Sequence, residues 1–211
     1  MRKTTEWVRR PPNPRRKNRD CAPDVDVIVG LGNPGLRYRR HRHNIGYDVI
    51  DALADRHGIL LRNCEFDAVC GTGRIGGRAI LLAKPQTFMN NSGEAVAPLV
   101  RRYLRGDALL VVVHDEIDLA LGKLRLKEQG GDAGHRGIRS ITRWLQSDQY
   151  LRLRLGVGRP PHRDDVIDYV LSPFSAEETD ARRAMIDEAV ERLEDLLNRA
   201  EAPMGGNTTT T

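Results

Sequence analysis

Three polar clusters in the chain hold the residue types of an acid–base centre. Arg42-His43-Asn44 follows the turn Gly32-Asn33-Pro34-Gly35, while Thr87-Phe88-Met89-Asn90 and Val113-His114-Asp115-Glu116 fall at strand or helix ends. Histidine titrates nearest to neutral pH of all side chains, so it can hold or release a proton under physiological conditions. A carboxylate on the far ring nitrogen of His43 would fix the orientation of the ring. No Ser or Cys beside these clusters stands in a nucleophile-like setting, which directs the reading toward activated water and away from a covalent intermediate. His41 and His43 could chelate a metal with His114 or Asp115. No cysteine and no second spaced pair completes a four-ligand set, however, so neither a metal nor any other cofactor is expected.

The elements that must position these residues can be read from apolar spacing. Val25 to Gly30 is a short apolar run typical of a buried strand. A helix is expected from about Asn44 to Arg56, where Ile45, Val49, Ile50 and Leu53 recur at helical spacing and Gly58 stops it. Residues 68–74 and 78–84 read as a hairpin around Gly76-Gly77. Glu94 to Leu104 is amphipathic, with Ser92 as candidate N-cap. Leu109 to Val113 is a strand covered on both faces, Lys123 to Lys127 a short alternating strand, and Gly137 to Leu145 a helix. Leu151 to Gly156 alternates Leu and Arg as a half-buried strand does. One long helix is expected from Ser175 to Ala200, opened by a Ser175/Glu178 capping box, with Ile186, Val190, Leu193 and Leu197 as its buried stripe. Strands interleaved with helices give an α/β fold: a single three-layer domain with a mixed, twisted sheet flanked by helices.

Gly30-Leu31-Gly32-Asn33-Pro34-Gly35 matches G-x-G-x-x-G after a strand. The dinucleotide turn of that pattern needs its third glycine inside a helix packed on the sheet, and an acid closing the next strand. Here Pro34 stands at the helix entry, and Asp51, near the right spacing, falls inside a helical pattern. The turn is better read as presenting Asn33 at the carboxyl end of the first strand, where open α/β sheets place ligands.

Charge is uneven along the chain. Of its 34 Lys and Arg and 29 Asp and Glu, the first twenty residues hold eight basic and two acidic ones, leaving 26 against 27, so the formal charge of +5 belongs to that segment. With its prolines and almost nothing to bury, 1–23 reads as a disordered basic tail. It is followed by a catalytic domain over 24–201 and a flexible end at 202–211. From Lys123 to Arg163 ten basic residues face three acids, and from Ser172 onward nine acids face four Arg. One basic region beside an acidic helix suggests a localised surface for an anionic partner. Cys21, Cys64 and Cys70 are odd in number and include no C-x-x-C pair, so neither a disulfide framework nor a zinc knuckle is indicated. No apolar run reaches the length of a membrane span and no signal-peptide core opens the chain, so a cytoplasmic protein without membrane contact is expected.

Gly130-Gly131-Asp132-Ala133-Gly134-His135-Arg136-Gly137 is a glycine-rich loop opening a helix, a place receptive to phosphate or carboxylate. Joined to Lys127, Arg139, Arg143, Arg152 and Arg154, it makes a nucleic-acid docking surface. With three Phe, two Trp and five Tyr, no aromatic platform for reading single-stranded bases is evident, so recognition would be of backbone and shape.

Four segments together resemble a known family. They are Gly30 to Gly35 with Tyr38 and Arg42-His43-Asn44; Lys84-Pro-Gln-Thr-Phe-Met-Asn-Asn-Ser-Gly93; His114-Asp-Glu-Ile-Asp-Leu119; and Gly130-Gly131 with Gly134-His135 and Gly137. In order and spacing, from about Val25 to Leu197, the chain resembles the bacterial peptidyl-tRNA hydrolases. The resemblance implies a monomeric, metal-independent α/β enzyme that cleaves peptidyl-tRNA and engages the acceptor end of the tRNA. It implies His43 as catalytic base, Asp115 as the carboxylate that orients it, and Asn33 and Asn90 as the pair holding the peptide and the transition state. It also implies Tyr38, Phe88 and Met89 as groove lining, His135 in a mobile wall, and Lys127 and Arg154 as a clamp on a tRNA phosphate. Arg136, where the family commonly has Asn, departs from the pattern and is expected to contact substrate. Two other readings remain open: a non-catalytic RNA-binding paralogue on the same scaffold, and an esterase or aminopeptidase for small substrates. An intact His43, Asp115, Asn33 and Asn90 argues against the first, and the basic surface against the second.

Overall fold

The computed structural model describes residues 24–64 and 66–199. The basic tail expected at 1–23 and the flexible end expected at 202–211 lie outside the described residues. The apolar runs form one seven-stranded sheet: β1 (Val25–Gly30), β2 (Arg62–Cys64), β3 (Ala68–Ile75), β4 (Arg78–Pro85), β5 (Leu110–Glu116), β6 (Leu124–Lys127) and β7 (Leu151–Gly156). Their order is β2-β3-β4-β1-β5-β7-β6. The central strands β4, β1, β5 and β7 are parallel, and the outer pairings β2–β3, β3–β4 and β6–β7 are antiparallel. The helices are α1 (Ile45–Arg56), α2 (Ser92–Tyr103), α3 (Arg136–Leu145), α4 (Val166–Val170) and α5 (Thr179–Arg199).

Alternate residues of a strand face opposite sides, and this parity builds the three layers. Ile28, Leu82, Val111, Val113, Leu153 and Leu155 pack with Val49, Ile50 and Leu53 of α1 and with Val190, Leu193 and Leu197 of α5. Their neighbours Val27, Val29, Leu81, Ala83 and Val112 pack with Val96 and Leu99 of α2 and Ile138 and Ile141 of α3. Each fully buried side chain of this kind contributes about 1.5–3 kcal/mol before the entropy of ordering the chain is set against it.

Two glycines bring the first helix down onto the first strand. A Cβ on Gly30 would lie 2.2 Å from the Gly46 carbonyl oxygen, and one on Gly46 would lie 2.5 Å from the Leu31 nitrogen. The G-x-G pattern therefore serves close helix–strand packing here, and it sets the segment before α1 over the end of the sheet.

Several local expectations are corrected. Strand β7 is enclosed, not half-buried, because both faces are covered: Leu151, Leu153 and Leu155 join the core on the α1 and α5 side, and Arg152, 1% exposed, donates from Nη1 to the carbonyls of Gly130 (2.6 Å) and Gly131 (3.0 Å). Ser92 is the first residue of α2, not its cap; its hydroxyl donates to the Met89 carbonyl (2.8 Å). The Ser175/Glu178 box forms by half. Glu178 accepts from the Ser175 N–H (2.7 Å), but the Ser175 hydroxyl turns to Glu177 and the helix starts later, at Thr179. Cys70, on β3, is disulfide-bonded. An odd count of three excludes a framework of bridges but leaves room for one. Strand β2 and helix α4 have no counterpart in the expected elements, both being shorter than the windows in which periodicity is legible.

Candidate active site

The carboxyl ends of the parallel strands open into one cleft of about 640 Å³. The chain leaves β1 toward α1 on one face of the sheet and leaves β4 toward α2 on the other, the arrangement in which open α/β sheets form ligand crevices. Asn33 follows β1; Phe88, Met89 and Asn90 follow β4; Asp115 lies near the end of β5; His135 and Arg136 begin α3; Tyr38 and His43 come from the β1–α1 connection. All nine line the cleft. Sequence reasoning missed the rest of the wall, which includes Ile117, Arg159, and Val166, Ile167 and Val170 of α4 with Leu171 after it.

Asp115 shares the parity of Val111 and Val113, the α1 face of β5, and this places it beneath the turn carrying His43. His43 Nδ1 lies 2.8 Å from Asp115 Oδ1, and His135 Nε2 lies 3.0 Å from the same oxygen. Burial alone would raise the Asp115 carboxyl, but His43 and His135 outweigh it and hold the group well below the usual carboxylate range. An ionised carboxylate only accepts, so each ring donates to it. His43 therefore carries its proton on Nδ1 and keeps a lone pair on Nε2. His135 is fixed in the opposite tautomer, because its Nδ1 accepts from the Ile138 N–H (3.3 Å) as the N-cap of α3. Behind them, His114 is 3% exposed and its Nδ1 donates to the Asp115 carbonyl (2.7 Å).

The turn carrying His43 is clamped. Asn44 Oδ1 accepts from the Asn33 N–H (3.0 Å) and Asn44 Nδ2 donates to the Asn33 carbonyl (2.9 Å). Asn33 Oδ1 accepts from the Met89 N–H (2.8 Å), which leaves the Asn33 amide N–H groups for the cleft. The Asn90 side chain is exposed at the rim and donates to Asn91 Oδ1 (3.1 Å). Arg42 runs the other way: it is buried against Tyr169 and Phe174, donates to Ser172 Oγ (2.8 Å), and pairs with Glu178 (2.6 Å). An imidazole with an oriented ring, beside amide donors, is an arrangement suited to hydrolysis.

Comparison with known proteins gives the same answer. The family model described as peptidyl-tRNA hydrolase matches residues 27–209. The chain belongs to the peptidyl-tRNA hydrolase family. It is 48% identical over 173 residues to a peptidyl-tRNA hydrolase of Moorella thermoacetica, covering 82% of this chain and 91% of that protein. One from Geotalea daltonii is 44% identical over 179 residues, covering 85% and 93%. A crystal structure of peptidyl-tRNA hydrolase from Acinetobacter baumannii superposes with a TM-score of 0.78 at 36% identity, over 85% of this chain and 91% of that one.

Two residues expected of a peptidyl-tRNA hydrolase lie outside the cleft. Lys127 and Arg154 border a small adjoining recess with His114, Glu116 and Arg152. Lys127 Nζ donates to the Gly131 carbonyl (3.3 Å), and Arg154 forks onto one oxygen of buried Glu116 (2.9 and 2.7 Å). Arg152, counted from sequence among the surface cations, is buried. The structure also assembles a trio that sequence spacing did not show: ligand-capable atoms of His43, Asp115 and His135 lie within 4.8 Å of one another. Two of those three separations are hydrogen bonds onto the carboxylate, so a cation would have to replace both ring protons.

Proposed function

We propose that this member of the peptidyl-tRNA hydrolase family cleaves its substrate with a water molecule activated by His43. The reaction is hydrolysis of the ester between the peptide carboxyl group and the terminal ribose hydroxyl of tRNA. The water oxygen bonds to the ester carbonyl carbon while its proton passes to His43 Nε2. The tetrahedral intermediate then expels the ribose oxygen, which takes that proton back. Peptide and free tRNA leave, and the tRNA returns to translation. Asp115 holds the ring with its lone pair outward and stabilises the charge it acquires. The amides of Asn33 and Asn90 donate to the peptide backbone and to the developing oxyanion, a term worth a few kcal/mol in comparable sites, roughly 2.7–4. Tyr38, Phe88 and Met89 line the peptide groove, and His135 closes its wall.

The observation that carries this reading is the 2.8 Å bond between His43 and a buried Asp115, in the cleft that Asn33 and Asn90 also line. A protein that only binds RNA has no need of an oriented base, and this disfavours the paralogue reading. Lys127 and Arg154, the latter with Nη1 still unengaged by Glu116, receive a phosphate near the acceptor end. Among the described residues no helix is long and apolar enough to cross a membrane. The domain spans 24–201 and works as a monomer in the cytoplasm, free of membrane. Disulfide-bonded Cys70 does not line the cleft. The test is turnover of peptidyl-tRNA by the full chain and by His43→Ala, each with and without EDTA. Loss of roughly 10²–10⁴-fold in the variant, with substrate still bound and no effect of chelation, is expected. Near-normal turnover by the variant would remove the mechanism, and chelator sensitivity would turn His43 and His135 into metal ligands.

A further inference from the structure

Among the arginines lining the cleft, one has no counter-ion among the described residues. Asp115 is shared by His43 and His135, Glu116 is forked by Arg154, and Arg159 is ion-paired with Asp118. Arg136, the first residue of α3, lines the same cleft, is exposed, and has no hydrogen-bond or ion-pair partner among the described residues. Both carboxylates of the cleft are already engaged, Asp115 by the ring N–H groups of His43 and His135 and Glu116 by Arg154. The Arg136 guanidinium is therefore left for an arriving anion. Its planar fork suits a phosphate or a carboxylate.

The rest of α3 indicates which anion. Arg136, Arg139 and Arg143 stand at i, i+3 and i+7, one stripe of the helix, and Arg139 and Arg143 are exposed. Arg139 holds Asp132 (2.9 and 3.2 Å), so of the three it is the one already compensated by an acid. A polyanion lying along the stripe meets Arg136 last, nearest the reacting ester. Peptides differ in charge from one substrate to the next, whereas every tRNA carries a phosphodiester one nucleotide before the ester.

We infer that Arg136 binds the phosphodiester linking the terminal nucleotide of the tRNA to the one before it, a subsite that rests on the hydrolase reading above. Arg136 thereby makes the last two nucleotides, and not the terminal nucleoside alone, the recognised unit.

The experiment compares two esters that differ by that phosphate, N-acetylalanyl-adenosine and N-acetylalanyl-cytidylyl-adenosine, both acylated at the terminal ribose. The readout is the ratio of their kcat/KM values. In the unaltered chain the dinucleotide is expected to be favoured by roughly tenfold, the scale of one charge-assisted hydrogen-bonded contact. Arg136→Gln should bring the ratio close to one, and Arg136→Lys should restore part of it. The side chain is exposed, so neither change is expected to disturb folding. An unaltered chain without preference overturns the subsite, and so do equal losses on both esters in Arg136→Gln. A third ester with aspartate in place of alanine covers the other anion: a loss confined to it assigns Arg136 to the peptide and overturns the phosphate subsite. Failure of the unaltered chain to cleave full peptidyl-tRNA is the distinct result that sinks the hydrolase reading itself.

Discussion

Asp115 is approached from two sides by histidines that the chain delivers in opposite ways. His43 arrives on a turn fixed at every step. Arg42 before it is buried in bonds to the 172–178 segment, Asn44 after it is locked to Asn33, and α1 then presses onto β1 through Gly46 and Gly30. His135 arrives on a glycine-rich loop in which Gly130, Ala133 and Gly134 all have positive φ (111°, 48° and 84°). Buried Arg152 holds the start of that loop through the Gly130 and Gly131 carbonyls, but nearer His135 the side-chain stay is Arg139 on Asp132, largely exposed, with side-chain accessibilities of 62% and 27%. Local opening follows such differences in burial. The proposed base is held by a saturated interior, while the residue that shares its carboxylate sits at the end of a loop whose nearest side-chain pair is exposed. One carboxylate thus joins a rigid arm to an adjustable one.

The comparison is broken most directly by removing each ring in turn. His43→Ala should lose roughly 10²–10⁴-fold in kcat. His135→Ala takes away one of two donors to Asp115 and leaves the other in its clamp, so a smaller loss is expected, about tenfold. A His135→Gln variant that keeps a donor should recover part of that loss, an outcome that a merely structural role of the loop does not produce. Equal losses for the two alanine variants would mean that the arms are equivalent and that the wall takes part in the proton transfer.

The rigid arm is the more legible of the two in sequence, for physical reasons. Val25 to Gly30 and the Ile45–Leu53 stripe are strongly patterned, so apolar spacing alone places their ends, and with them Asn33 and His43. Asp115 and Asn90 can be assigned to the site because each stands in a polar cluster at an element's end. Side-chain commitment across the fold has no such local signal. Nothing local says that Arg152 is enclosed while Arg125 is not, since both alternate with leucines; the 130–131 loop folded over β7 decides it. Nothing local says that Arg154 is spent on Glu116, a residue 38 positions away. Helix α4, of five residues, carries too few apolar positions for a period, so the cleft wall it supplies leaves no mark in the sequence pattern. Family resemblance supplies the roles of Lys127 and Arg154, and the geometry puts them in a separate recess.

Ion pairs on the two arms give the next sharpest contrast. Arg42→Ala leaves Glu178 without its partner and strips the bonds to Ser172 and the packing on Tyr169 and Phe174. A loss of about 3 kcal/mol in unfolding free energy is expected, since breaking a buried pair strands the remaining charge. The corresponding change on the adjustable arm, Asp132→Ala, breaks an exposed pair and should leave stability nearly unchanged. Urea titration of both variants at neutral pH reads the difference. Comparable midpoint shifts would show that the loop is as firmly held as the His43 turn.

The smallest effect concerns the histidine behind the carboxylate, and its sign follows from proton linkage. Burial, with His135 next in importance, pushes His114 well below its ordinary value of 6.5, against the smaller opposing pull of Asp115. The folded chain therefore keeps His114 neutral where the unfolded chain has already taken up a proton. The unfolded state binds more protons below pH 6.5, so stability falls as pH drops through that value, by up to about 1.4 kcal/mol per pH unit for one such group. Asp115 acts in the same direction but in another window. Its folded carboxyl is held below the usual range, so the stability it contributes is present above about pH 4, the unfolded aspartate value, and is lost only as pH falls further. His114→Asn retains a donor for the Asp115 carbonyl but cannot titrate. Between pH 6.5 and pH 5 the unfolding free energy of the variant should decline less steeply than that of the unaltered chain. Curves already parallel between pH 6.5 and pH 5 would mean that His114 takes up its proton in the folded state. The interior behind Asp115 would then be open to water, and the rigid arm no stiffer than the wall opposite.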